Sequence, residues 1–205
     1  MHSFSTDQPN RHRRYILIGV ISAVIYLGGI RLFGMVIGFT IGLVSSSLYF
    51  AFTKWVWKWK WLRRKGLIAV PNLDGTWRGY VYTSANEDLI DNKQIVADGR
   101  QIENLTKQET KIEIQQTWDK ISVTLDGPES PSHSCGATIL INKKAWSTLT
   151  YNYWNDGSLT NEALGAHYGT AILEYNENKS TLEGKYYNRP DQRGTHGVLE
   201  LQRTD

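Results

Sequence analysis

Four tyrosines and one arginine-bearing turn carry the chemistry in this chain that packing alone least explains. Tyr151, Tyr153, Tyr168 and Tyr186 fall on three successive stretches of alternating polar and apolar residues. A phenol offers a flat face for stacking and a hydroxyl that donates or accepts. Four of them along one side of a cavity would suit a planar ligand rich in hydrogen-bonding groups. Beside them runs Asn188-Arg189-Pro190-Asp191-Gln192-Arg193-Gly194-Thr195-His196-Gly197. Arg189 and Arg193 present planar guanidinium forks suited to phosphate, Thr195 adds a hydroxyl, and Gly194 and Gly197 let a ligand approach backbone N–H groups. The same residues also read as tyrosines filling a core near its mouth and as an ordinary hairpin loop with solvated arginines.

Signatures of catalysis are missing. The sequence has no G-x-S-x-G, no H-E-x-x-H, no P-loop and no Gly-rich dinucleotide fingerprint after a strand. No catalytic residue, metal ligand or cofactor is therefore expected. Cys135 is the only cysteine, so neither an intrachain disulfide nor a multi-thiolate zinc site can form. His133 stands two residues from it, but two ligands do not make a zinc site, and a lone cysteine on a strand usually belongs to the core. His167 and His196 suit neutral hydrogen bonding better than proton transfer.

The elements that must position these residues are strands. After Val70-Pro71-Asn72 the pattern changes to period-two alternation bounded by Asp-Gly, Asn and Pro signals. Eight strands are predicted, over Gly75–Thr83, Glu109–Trp118, Lys120–Leu125, Cys135–Asn142, Ala145–Trp154, His167–Tyr175, Thr181–Asn188 and Thr195–Arg203. Short connections make neighbours antiparallel, and an eight-stranded antiparallel up-and-down (lipocalin-like) β-barrel closes the edges and leaves room for one small ligand. The more apolar phase of each strand gives an inside set that includes Trp77, Ile112, Ile114, Ile121, Ile139, Leu149, Tyr151, Tyr153, Tyr168, Ile172, Leu182, Tyr186, Leu199 and Leu201. The polar stretch 84–108 is an unplaced flap or crossover.

Ahead of the barrel lies a different chemistry. From Tyr15 to Phe52 the only charge is Arg31, and at 1.5 Å per residue the stretch suits two membrane spans turning at Gly28-Gly29-Ile30-Arg31. Basic clusters flank both outer ends, so the positive-inside rule places the N-terminus and the barrel in the cytoplasm. A cleaved signal peptide lacks a convincing site here. Trp55, Trp57, Trp59 and Trp61 alternate with Lys58 and Lys60 as an interfacial collar facing the lipid bilayer. Gly34, Gly38, Gly42 and Ser46 recur every four residues, a spacing at which helix backbones approach closely in lipid, either within the hairpin or between chains of a homo-oligomer. The expected organisation is a basic cytoplasmic tail (1–14), two transmembrane helices (15–53), a Trp/Lys-rich linker (54–70) and a ligand-sensing barrel (71–205).

Charge follows the same division. Of 205 residues, the first 65 hold ten Lys/Arg and one acid, whereas the remainder hold thirteen Lys/Arg and nineteen acids. That acidic barrel is no binder of polymeric nucleic acid, and any anionic ligand must be held by local donors.

Leu73-Asp74-Gly75-Thr76-Trp77-Arg78-Gly79 after a two-helix anchor, then Leu182-Glu183-Gly184-Lys185-Tyr186-Tyr187-Asn188 and Gly194-Thr195-His196-Gly197, resemble the membrane-anchored β-barrel effectors of cyclic-oligonucleotide-based antiphage signalling (CBASS). The likeness covers nearly the whole chain. It implies that the barrel binds a cyclic dinucleotide, a regulatory ligand made by a cGAS/DncV-like nucleotidyltransferase after phage infection. Binding then promotes oligomerisation and disrupts the inner membrane, arresting growth. The matching motif positions are Trp77, Tyr186, Thr195 and Gly197, but a lipocalin-type tryptophan packs at the closed end under a late-strand arginine, here Arg203, and that role suits Trp77 better than ligand contact. The alternative is a membrane-tethered lipocalin-like protein for an apolar ligand, or an anchor whose barrel is filled.

Overall fold

The computed structural model describes residues 1–7, 12–33, 41–84, 95–97, 100–102, 105–127, 130–141, 146–158, 165–189 and 195–204. The chain forms two compact units. One comprises Met1–Asp7, Pro71–Gln116 and Lys120–Asp205, the other Gln8–Val70 and Thr117–Asp119.

The first unit is a closed barrel. Its chain order is β1 (His2–Thr6), β2 (Gly75–Thr83), β3 (Ile95–Ala97), β4 (Arg100–Ile102), β5 (Thr106–Gln116), β6 (Lys120–Asp126), β7 (Pro131–Leu140), β8 (Ser147–Asn155), β9 (His167–Asn176), β10 (Thr181–Asn188) and β11 (His196–Arg203). Around the barrel the order is β1-β6-β5-β2-β11-β10-β9-β8-β7, while β3 and β4 form a separate two-stranded ribbon. β2 and β10 have the ends that alternation predicts.

The expectation of eight antiparallel strands is corrected. Among the described residues the barrel has nine, and the ninth is β1, from the segment expected to be a basic tail. It runs antiparallel to β6 at His2–Ile121 and Ser3–Lys120, and parallel to β7 from Phe4–Ala137 to Thr6–Ile139. β6 and β7 pair directly only over Thr124–Asp126 and Pro131–His133, and β1 fills the fork where they part. Phe4 turns inward and is buried. With one large apolar residue in five, β1 is too short and too polar for alternation to reveal.

A second correction concerns phase. Alternation places Tyr168 and Ile172 in the interior, yet β9 buries His167, Gly169, Ala171, Leu173 and Tyr175 and leaves Tyr168 48% and Ile172 42% exposed. Both phases of this strand contain an aromatic and an aliphatic residue. What separates them is Glu174 and Thr170, which share the outer phase, and Gly169, which must face inward because a Cβ there would lie 2.3 Å from Cζ of Tyr153. Cys135 also departs from expectation. It sits in the register shift between Ser134 and Gly136 and is exposed rather than in the core.

At one end of the barrel the interior is sealed around Trp77, which is fully buried. Its indole N–H donates to the Leu73 carbonyl at 2.9 Å, and its ring meets Tyr175 edge-on at 5.9 Å. The Arg203 guanidinium lies 4.6 Å from the indole centroid and donates to the carbonyls of Asn72 and Asp74. Gln116 completes the seal, accepting from the Leu73 N–H at 2.7 Å and donating to the Pro71 carbonyl at 3.1 Å.

The second unit contains α1 (Arg13–Phe33), α2 (Ile41–Lys54), a 3-10 turn (Val56–Lys58) and α3 (Lys60–Arg64). Among the described residues α1 is long and apolar enough, over Arg13–Arg31, to cross a membrane. The Tyr15 ring lies 5.9 Å from that of Tyr49, and both hydroxyls donate to the Asp119 carboxylate, at 2.5 and 2.6 Å. The Trp118 N–H donates to the Thr53 carbonyl, and its ring meets Phe52 and Trp57. Trp118 and Asp119 thus belong to the helical unit. Trp57, expected in the interfacial collar, is buried against Trp118, while Trp55, Trp59 and Trp61 remain more than half exposed.

Candidate functional site

Away from Trp77 the barrel interior changes from hydrocarbon to hydroxyl and amide. Thr83, Thr106, Asn155, His167 and Asn188 are all buried there. Strand register brings them together: Gly197 pairs with both Thr83 and Tyr186, Thr83 with Thr106, Gly169 with both Tyr153 and Asn188, and Asn155 with His167. Buried polar groups require partners, and Asn188 links several of them. It accepts from the Tyr153 hydroxyl at 2.7 Å and donates through its amide to the Thr195 hydroxyl, while its backbone N–H donates to the Thr195 carbonyl at 2.7 Å. On the next strand pair, Asn155 accepts from Ser130 and donates to Ser132. His167 donates from Nδ1 to the Gly165 carbonyl at 2.9 Å, which fixes its proton on that nitrogen, since a carbonyl only accepts.

Glycines make room for the aromatic rings. A Cβ on Gly197 would stand 1.8 Å from the Tyr82 carbonyl oxygen and 2.8 Å from Cε1 of Tyr186. Tyr186 is half-buried and points inward beside this glycine; Tyr151 and Tyr153 are buried, their centroids 5.9 Å apart. Of the residues singled out in the sequence, Tyr151, Tyr153, Tyr186 and Thr195 therefore gather at this end. Tyr168 does not. It lies on the outer wall with its ring 4.6 Å from that of Trp154, outside the barrel interior. Arg189 is exposed at the rim, its backbone N–H bonded to the Tyr168 carbonyl. Arg193, Gly34 and Gly38 lie outside the described residues. Gly42 and Ser46 are exposed on α2, and a Cβ on Gly42 would meet nothing within 4 Å.

Asn188, Asn155 and His167 were missed as a set. Asn188 heads the donor-rich turn, but only strand register shows its amide turning inward beneath Tyr153.

A family model described as Cap15, cyclic dinucleotide receptor domain, matches residues 68–203. The chain belongs to this Cap15 family. It is also 29% identical over 138 residues to CD-NTase-associated protein 15 of Yersinia aleksiciae, the aligned part covering 67% of this chain and 58% of that protein. The family is the group of CBASS effectors that the sequence motifs resemble. The match takes in β2 to β11 and leaves out β1, α1 and α2.

Within this Cap15 barrel the Tyr153 phenol is a hydrogen-bond donor. Burial pushes the Tyr151 hydroxyl well above its ordinary value of 10.0. The folded chain thus keeps a proton that the unfolded chain releases. The stabilisation is complete below pH 10 and declines as pH rises above it, by up to about 1.4 kcal/mol per pH unit. Tyr151→Phe is expected to flatten the alkaline fall in Tm relative to the parent chain, checked by thermal unfolding between neutral and strongly alkaline pH.

An open groove of about 770 Å³ on the outer wall involves Arg78, Lys111, Glu109 and Asp126. It carries two basic and two acidic side chains. Among the described residues no group of three or more His, Cys, Asp or Glu is placed to hold a metal.

Proposed function

We propose that the barrel is a non-catalytic sensor that binds a cyclic dinucleotide at its polar end, and that binding drives assembly of the chain in a bacterial inner membrane, which the assembly disrupts. The nucleotide would come from a cGAS/DncV-like nucleotidyltransferase activated by phage infection. The observation that carries this reading is the Tyr153-Asn188-Thr195 network, flanked by Tyr151 and Tyr186, in a barrel sealed at its other end by Trp77. Phenol faces suit bases, amides and hydroxyls suit their edges, and Arg189 at the rim suits a phosphate. Membership of the Cap15 family supports the ligand class.

The shared barrel supports two membrane spans. β1 precedes α1 and β2 follows α2, yet both strands belong to one sheet. A chain that leaves the cytoplasm through α1 must therefore return before β2, which needs an even number of crossings. Residues 32–52 supply the second span, and Trp55, Trp59 and Trp61 its interfacial anchors.

The test is calorimetric titration of the full chain in lipid nanodiscs with a panel of cyclic dinucleotides. Saturable binding to one of them is expected, weakened at least about tenfold by Asn188→Ala, Arg189→Ala or Tyr186→Ala. Failure of every nucleotide to bind the folded chain would overturn the reading and leave an apolar ligand to be sought.

A further inference from the structure

β1 is held differently from every other strand in the barrel. Its partners divide between two neighbours, two residues against β6 and three against β7, whereas β2 and β5 pair over nine. Its side chains reach the slot through exchangeable hydroxyl and carboxylate contacts. Ser5 Oγ lies 2.7 Å from Thr138 Oγ1, Asp7 accepts from the Ile141 N–H, and His2 Nε2 lies 2.8 Å from Ser134 Oγ. Ser134 stands at the fork itself, where its hydroxyl accepts the Val123 N–H at 2.9 Å. Phe4 is the single apolar anchor.

Such a strand is the least costly in the barrel to release, because few ladder bonds and one buried ring are lost. Release leaves two open edges, on β6 and on β7, whose backbone groups need a replacement strand. The replacement that fits by construction is β1 of a second copy, since an exchanged element makes the same contacts in either barrel. Residues 7–12 join β1 to α1, and six residues span at most about 20 Å. A strand given to another barrel therefore keeps the donor's α1 close to the acceptor.

We infer that the slot between β6 and β7 is a strand-acceptor site for a second copy of this chain, and that assembly proceeds by exchange of β1 between neighbouring protomers. This inference rests on the proposed ligand-driven assembly. Exchange links subunits through sheet hydrogen bonds without requiring any new surface, and it couples the order of the barrels to the order of the helices.

Single-cysteine chains test it. In a Cys135→Ser background, one full-length chain carries Ser3→Cys and another, with a larger tag, carries Lys120→Cys; these positions are direct register partners on exposed faces. The two are co-reconstituted in phosphatidylethanolamine and phosphatidylglycerol vesicles, given the same cyclic dinucleotide panel, oxidised and resolved by size. A mixed disulfide that appears with assembly is the expected result. A chain bearing both cysteines closes on itself before ligand is added, and this lock is expected to block assembly until reductant is supplied. Assembly without the mixed disulfide, with the locked chain assembling as well as the reduced one, overturns exchange and leaves the sensor reading intact. Absence of assembly with every nucleotide removes both.

Discussion

Trp77→Ala is expected to destabilise the barrel by roughly 3–5 kcal/mol, the range for truncating a large buried aromatic side chain. The indole is fully buried and closes one end. Its loss leaves a cavity beneath Arg203, deprives the Leu73 carbonyl of a donor and removes the edge-on partner of Tyr175. The guanidinium would still be held by the Asn72 and Asp74 carbonyls, but over a void rather than a ring. For a domain of this size the loss corresponds to a fall in Tm of roughly 10–20 °C. Trp77→Phe keeps most of the volume and loses only the N–H, so it should fall between. Thermal unfolding of the full-length variants decides the matter. An alanine variant that melts within a few degrees of the parent would show that the seal is maintained by Gln116 and Arg203 alone. Ligand affinity measured well below the melting point should change little, since the polar network lies at the other end.

How much of this was legible beforehand depended on the length of each pattern. The ends of β2 and β10 were readable because Asp-Gly and Asn signals bound long alternating runs. The pairing of Trp77 with Arg203 follows from the likeness to a lipocalin tryptophan and is present as a ring contact. Phase was readable only where the two faces of a strand differ in polarity. β9 carries apolar residues on both, so Tyr168 was placed inside when the close approach of Tyr153 to Gly169 requires the reverse. β1 was not legible at all. Its five residues fit the fork between β6 and β7, a feature of three-dimensional register with no local signature. The inward amide of Asn188 escaped for a related reason. Asparagine at a strand end reads as turn chemistry, and only the pairing of Asn188 with Gly169 shows that it lies beside Tyr153.

Within the helical unit Trp118 and Asp119 are bonded to Thr53, Tyr15 and Tyr49. A ligand can drive assembly only if it prefers the assembled state over the free one. What the helices then do is tested by Gly42→Leu. Gly42 is exposed, and a Cβ there meets nothing within 4 Å among the described residues, so leucine is expected to fold normally and sit comfortably against lipid. Between chains the same methyl groups would hold two backbones apart. The expected outcome is unchanged nucleotide affinity with dye leakage reduced to that of empty vesicles. Gly19→Leu on α1, equally unobstructed within the chain, is the comparison that tells which helix face meets its neighbour. Leakage that survives Gly42→Leu but is lost with Gly19→Leu would move the contact to α1. Leakage that survives both would mean that assembly depends on the barrels, as strand exchange alone would allow, and not on small residues in the membrane.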